Sequence, residues 1–166
     1  NLGDNTKNKY YAIENVIALN DVTVKNWTKG EPNEWVYGTD EYDYSPFYGT
    51  LDGKGHVIKG LYINSEAKRA GLFVEVGGSA TVQNLGITDS YISIINDKAH
   101  CYASAFSGIR NSQADGDGEV KFIRCFVTQS VSVYAQTTNE NKFTAIAAGF
   151  VGRVDQGQGE ANNAKT

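Results

Sequence analysis

The chain has 166 residues, a formal net charge of −4 and a sequence pI of about 5.1, with 20% charged residues. That acidic balance argues against a nucleic-acid partner, whose affinity rests on Lys and Arg contacts to phosphate. No apolar run reaches the 18 or so residues of a membrane-spanning helix, and one domain of this size buries about 70% of its unfolded surface without a disulfide staple.

The chain begins at Asn1 and contains no Met, so it reads as a processed or excised piece of something longer. The first candidate element is Lys9 to Ala18, where Tyr10, Ile13 and Ile17 fall at helical spacing. It reads either as a short N-terminal capping helix or as an irregular turn running into a strand over 16–24. The pattern apolar-x-x-apolar-x-apolar then occurs four times: Leu19/Val22/Val24, Ile58/Leu61/Ile63, Val82/Leu85/Ile87 and Phe122/Cys125/Val127. The last two positions alternate with period two, which is strand logic, and the x-x step marks a bend. A short pattern returning every few tens of residues is the mark of a stacked-repeat fold. The shared order within each segment predicts parallel stacking, with Leu61, Leu85 and Cys125 in one column and Val22 beneath them.

A second family places Leu72, Phe106 and Phe150 after small residues, in Gly71-Leu72-Phe73, Ala105-Phe106-Ser107 and Gly149-Phe150-Val151. These predict a second face of the same coil. The expected fold is all-β: a right-handed parallel β-helix of about four coils with long loop insertions. Residues 1–154 form the module. Residues 155–166 form a polar tail, expected to lead to a further coil. Cys101 and Cys125 read either as one disulfide or as two thiols, with Cys125 packed inside.

The segment Phe47 to Ile63, F-Y-G-T-L-D-G-K-G-H-V-I-K-G-L-Y-I, followed by G-L-F at 71–73 and V-Q-N-L-G-I at 82–87, resembles the GLUG-type repeat family. Asn20-Asp21-Val22-Thr23-Val24 and Trp35-Val36-Tyr37-Gly38 resemble further parts of its pattern. These repeats occur in bacterial surface and secreted proteins, upstream of immunoglobulin A-cleaving metallopeptidases and in adhesin-like proteins. The resemblance implies a parallel β-helix without catalytic residues. It implies an extracellular or cell-surface setting, with further coils or a catalytic domain in the same polypeptide. The H-E-x-x-H helix of a zinc peptidase is absent, since His56 and His100 are the only histidines.

Candidate chemistry is sparse. Seven aromatics from Trp27 to Tyr48 surround the acids Asp40, Glu41 and Asp43. Rings that stack on sugar faces beside carboxylates that accept hydroxyl hydrogen bonds suit a glycan surface. Trp27, Asp40, Tyr42, Asp43 and Tyr44 are therefore the candidate ligand residues, for a host glycan or protein. Trp35 and Phe47 fall at repeat-family positions and are expected to pack structurally. Asp115, Asp117 and Glu119 alternate in a Gly-rich stretch that reads first as a turn and second as a calcium loop, incomplete beside an EF-hand. No tightly bound metal and no cofactor are expected. Asp52, in a Leu-Asp-Gly turn, is expected to form the turn rather than act as an acid in a polysaccharide lyase or glycosidase. The sequence thus points to a non-catalytic scaffold or recognition module. Its rival is a carbohydrate-binding module using the 26–48 insertion.

Overall fold

The computed structural model describes residues 6–39, 46–111, 118–139 and 141–155. From Lys7 onward their regular structure is strand, apart from two single turns of 3-10 helix at Trp27–Lys29 and Val36–Gly38. A first repeat holds two strands, β1 (Tyr10–Ala12) and β2 (Ile17–Ala18). The second holds five: β3 (Thr50–Asp52), β4 (Val57–Lys59), β5 (Tyr62–Ser65), β6 (Arg69–Ala70) and β7 (Phe73–Gly77). The third follows the same plan with β8 (Thr81–Gln83), β9 (Gly86–Thr88), β10 (Tyr91–Ile95), β11 (Cys101–Ser104) and β12 (Ser107–Asn111). The fourth closes with β13 (Lys121–Ile123), β14 (Phe126–Val127), β15 (Ser132–Gln136), β16 (Ala145–Ala148) and β17 (Val151–Asp155).

Every strand pairs in parallel with its counterpart in the neighbouring repeat. This builds five sheets: β1-β3-β8-β13, β2-β4-β9-β14, β5-β10-β15, β6-β11-β16 and β7-β12-β17. The arrangement fits a β-helix-like parallel fold. Strands this short cannot bury a face alone, so each repeat uses the next as its partner. Most buried apolar side chains meet in one cluster that includes Leu61, Ile63, Val82, Leu85, Ile87, Ile92 and Phe106, all fully buried, and Phe47, Val76 and Ala80 form a second, smaller one. Burial of each is worth about 1.5–3 kcal/mol.

The register corrects part of the sequence reading. Val82, Leu85 and Ile87 do lie under Phe122, Cys125 and Val127. The residues beneath them in the second repeat, however, are Leu51 and Ile58. Leu61 sits at the next corner, between β4 and β5, and stacks toward Ser90 rather than Leu85. Val22 and Val24 lie outside the strands, and Val24 is exposed. The second family is in register as expected, because Phe73, Ser107 and Val151 are partners and the residue before each is Leu72, Phe106 and Phe150. The helical reading of Lys9 to Ala18 also fails: β1 and β2 pair with β3 and β4, and strand pairing outweighs a weak helical period.

Residues 34–39 and Phe47 lie where the first repeat lacks its three last strands. The Trp35 amide donates to the Tyr62 carbonyl of β5 at 2.8 Å, Thr39 bridges Ala70 of β6, and Phe47 bridges Val76 of β7. The Trp35 indole donates to the Leu72 carbonyl at 2.9 Å, and Phe47 is buried and stacks on Phe73 at 4.7 Å. Both aromatics pack structurally, as their repeat positions suggested. They cover strand edges that would otherwise attract other chains.

Two corners of the repeat use left-handed residues. Asn84 and Arg124 have φ of 52° and 50° between β8–β9 and β13–β14, and Gly60 and Asp89 have φ of 73° and 43° between β4–β5 and β9–β10. Just after a third corner, within β12, the last sheet comes close against the one before it. A Cβ on Gly108 would lie 2.9 Å from the Ala70 nitrogen, so only glycine permits that approach.

Candidate functional site

Of the predicted ligand residues, only Trp27 lies within the described part of the chain; Asp40, Tyr42, Asp43 and Tyr44 fall outside it. Trp27 stands on the first 3-10 turn, which follows Asn26 in a left-handed conformation (φ 59°). Its ring meets Tyr62 edge-on, with centroids 6.1 Å apart and planes at 70°. Tyr62 stacks in turn on Tyr91, its register partner, at 5.6 Å and 18°. Trp27, Tyr62 and Tyr91 therefore form a half-buried aromatic row on the outer face of the β5-β10-β15 sheet. In the fourth repeat the row gives way to Ser132, a small residue, while Tyr134 stands exposed two positions further along β15.

The Trp27 end of the row opens into a shallow hollow of about 610 Å3, lined among others by Asp21, Lys25, Asn26, Lys29 and Glu31. The loop that shapes it is pinned by Asn20. Its amide donates to the carbonyls of Gly60 at 2.7 Å and Asn33 at 3.0 Å, and its carbonyl accepts from the Asn33 amide at 2.7 Å. The Thr23 hydroxyl and amide donate to Asp21, holding its carboxyl below the usual range. A flat ring beside fixed acids, amides and amines can stack on an apolar ligand face and hydrogen-bond its rim.

Sequence reasoning missed Tyr62 and Tyr91. The usable signal was the recurrence of Tyr-Ile before a small polar residue, Tyr62-Ile63-Asn64 and Tyr91-Ile92-Ser93, which puts two rings outward at one register position.

A second polar column runs along another corner. Asp52 is buried and accepts four hydrogen bonds: from the Asn84 amide at 2.9 Å, the Lys54 backbone amide at 2.8 Å, the Gln83 amide at 2.8 Å and the Tyr10 hydroxyl at 2.9 Å. The Asn84 amide, then the Lys54 amide, then Gln83 hold its carboxyl far below the ordinary carboxylate range. Arg124 donates to the other side of Asn84 at 2.6 Å. Tyr10, Asp52, Asn84 and Arg124 thus tie all four repeats together. The bond from Lys54 is the Asx turn expected at Asp52.

Asp115 and Asp117 of the predicted acidic loop also lie outside the described residues. Glu119 is exposed and pairs with Lys121 at 3.3 Å. Among the described residues, no three His, Cys, Asp or Glu side chains gather as metal ligands would. Cys101 and Cys125 are both thiols. Cys125 packs against the core, and burial raises its thiol pKa. Cys101 is the more deeply buried of the two, which the repeat pattern did not indicate.

No family model matches the chain, and no solved structure matches it. Over 110 residues it is 34% identical to halomucin of Haloquadratum walsbyi (strain DSM 16790 / HBSQ001). That stretch is 65% of this chain and 1% of halomucin, so the chain spans a small fraction of the protein it is similar to.

Proposed function

We propose that this chain is a non-catalytic, extracellular scaffold and recognition module built as a right-handed parallel β-helix of GLUG type. The observation that carries the reading is the residue-for-residue parallel pairing of five strands from repeat to repeat. Such stacking makes a rigid rod whose apolar residues go into a shared core and whose outer faces are free for presentation. The partial likeness to halomucin, a surface protein, supports a surface setting. Adhesin-like display and service as an exosite beside a catalytic domain are the two uses that fit. Incubation with pectin and related polysaccharides tests the non-catalytic part of the reading, since release of oligosaccharides would overturn it.

One observation favours a second reading, carbohydrate binding. The Trp27–Tyr62–Tyr91 row and its polar hollow have the ring faces and hydrogen-bonding groups that sugars use. This moves the binding surface from the 26–48 insertion alone to the insertion together with the β5-β10-β15 sheet. A glycan array separates the two readings. Under carbohydrate binding, bound glycans are lost in Trp27→Ala and Tyr91→Ala while the folded state persists. An array blank with the native chain leaves the scaffold reading.

A further inference from the structure

The two ends of the stack differ. At the first-repeat end, β5, β6 and β7 are covered by Trp35, Thr39 and Phe47. At the other end, no strand among the described residues pairs with the outer edge of β13, β14, β15, β16 or β17. The interior columns are correspondingly uncovered there. Phe106 is 0% exposed, and Phe150, stacked on it at 5.1 Å and 9°, is 38% exposed. Ile92 is fully buried and its partner Val133 only partly so; the same holds for Ile87 and Val127. Residues that occupy core positions in the column below therefore present one face to solvent.

We infer that this end is the docking surface for a fifth five-strand repeat, parallel to the fourth and continuous with β17. The inference rests on the stacked-repeat reading above. The molecule supplies the template for the contact, because the third repeat sits on the second and the fourth on the third by the same five ladders. Open edges with backbone donors and acceptors in parallel register take a parallel strand. A second copy stacked head-to-tail fits less well. Its first repeat offers only β1 and β2 against five open edges, and Trp35, Thr39 and Phe47 already lie against β5, β6 and β7 at that end. Continuity is built into the register. Gly77, Asn111 and Asp155 are aligned, and Gly78, Ser79 and Ala80 alone carry the chain from β7 to β8. A repeat joined to Asp155 by a connector of that length has its first strand over β13.

The test inserts a second copy of residues 78–111 between Asp155 and Gln156 of the full chain and follows amide hydrogen exchange. The inserted repeat places Val82 over Phe122, Ile87 over Val127, Ile92 over Val133 and Phe106 over Phe150. Amides of β13–β17 are expected to gain at least about tenfold in protection, with a rise in melting temperature. No gain in β13–β17, with β8–β12 strongly protected in both chains, overturns the docking proposal and leaves the stacked-repeat reading intact. If β8–β12 are no better protected than β13–β17 in the native chain, the stacked-repeat reading itself fails. Protection of β13–β17 that rises with concentration in the native chain assigns the end to a second copy and also overturns the proposal. Should the inserted chain not fold, binding of an apolar dye to the native chain decides. Dye fluorescence that drops in Phe150→Lys supports an open apolar platform, and unchanged fluorescence rejects it.

Discussion

Asp52 shows how much one side chain organises when the backbone turns around it. Its carboxylate is the acceptor for groups from the first, second and third repeats, and the third repeat's Asn84 passes the link to Arg124. Those donors favour the charged form, so its folded pKa lies below that of the unfolded chain. The stabilisation is therefore complete above about pH 4, the ordinary Asp value, and is lost as pH falls below it. Asp52→Asn is expected to melt at a lower temperature at neutral pH. Its melting temperature should then change less than that of the native chain between about pH 4 and about pH 2. Parallel pH dependences in the two proteins would show that the column does not couple to folding. Leu85 makes the apolar counterpart. It is fully buried on the Cys125 column, and Leu85→Ala is expected to lose about 2–5 kcal/mol in denaturant unfolding. Leu85→Asp should abolish folding, because no partner awaits a charge there.

At the scale of strands and corners, the sequence pattern carried geometry more faithfully than it carried position. In Ile58–Ile63, Val82–Ile87 and Phe122–Val127 the third residue is Gly60, Asn84 or Arg124, and each has positive φ. Apolar-x-x-apolar-x-apolar therefore spells a left-handed corner followed by a buried side chain. The repeat has two such corners, one after β8 and one after β4, and the pattern alone does not say which is which. That is why the pattern aligns Leu85 with Cys125 yet places Leu61 in the wrong column. Leu19–Val24 has the same spelling and no strand, since its apolar residues lie in the loop that Asn20 pins. The outer aromatic row was hidden for a different reason: Trp27 and Tyr62 become neighbours through the path of an irregular loop, which has no period to read. The third corner gives a direct test. Gly108→Ala places a methyl group against the Ala70 nitrogen and the Val74 carbonyl, and is expected to destabilise the protein by about 1–3 kcal/mol in equilibrium unfolding. Equal stability would mean that β12 can move away from β6 without penalty.

For the molecule as a whole, stability comes from the stack. Each repeat contributes an interface with its neighbour, so the third repeat, flanked on both sides, is the most buried. No ion is expected to contribute to that stack. Thermal melts with and without a calcium chelator should coincide. A chelator-induced fall in melting temperature, restored by calcium, would instead assign a metal to the loop of Asp115, Asp117 and Glu119.

The corner between the fourth and fifth strands of the second, third and fourth repeats has one further consequence. It is always two residues long: Gly71-Leu72, Ala105-Phe106 and Gly149-Phe150. Other connections vary widely, from 66–68 through 96–100 to 137–144 between the third and fourth strands. The fixed corner works as a phase reset. Whatever length the chain gains in a preceding loop, the large residue at 72, 106 or 150 returns to one column before the next repeat begins. Length errors therefore do not propagate. Those variable loops are free to diverge, and foreign segments grafted at 96–100 or 137–144 should alter the outline of the molecule while the repeats on either side keep their step.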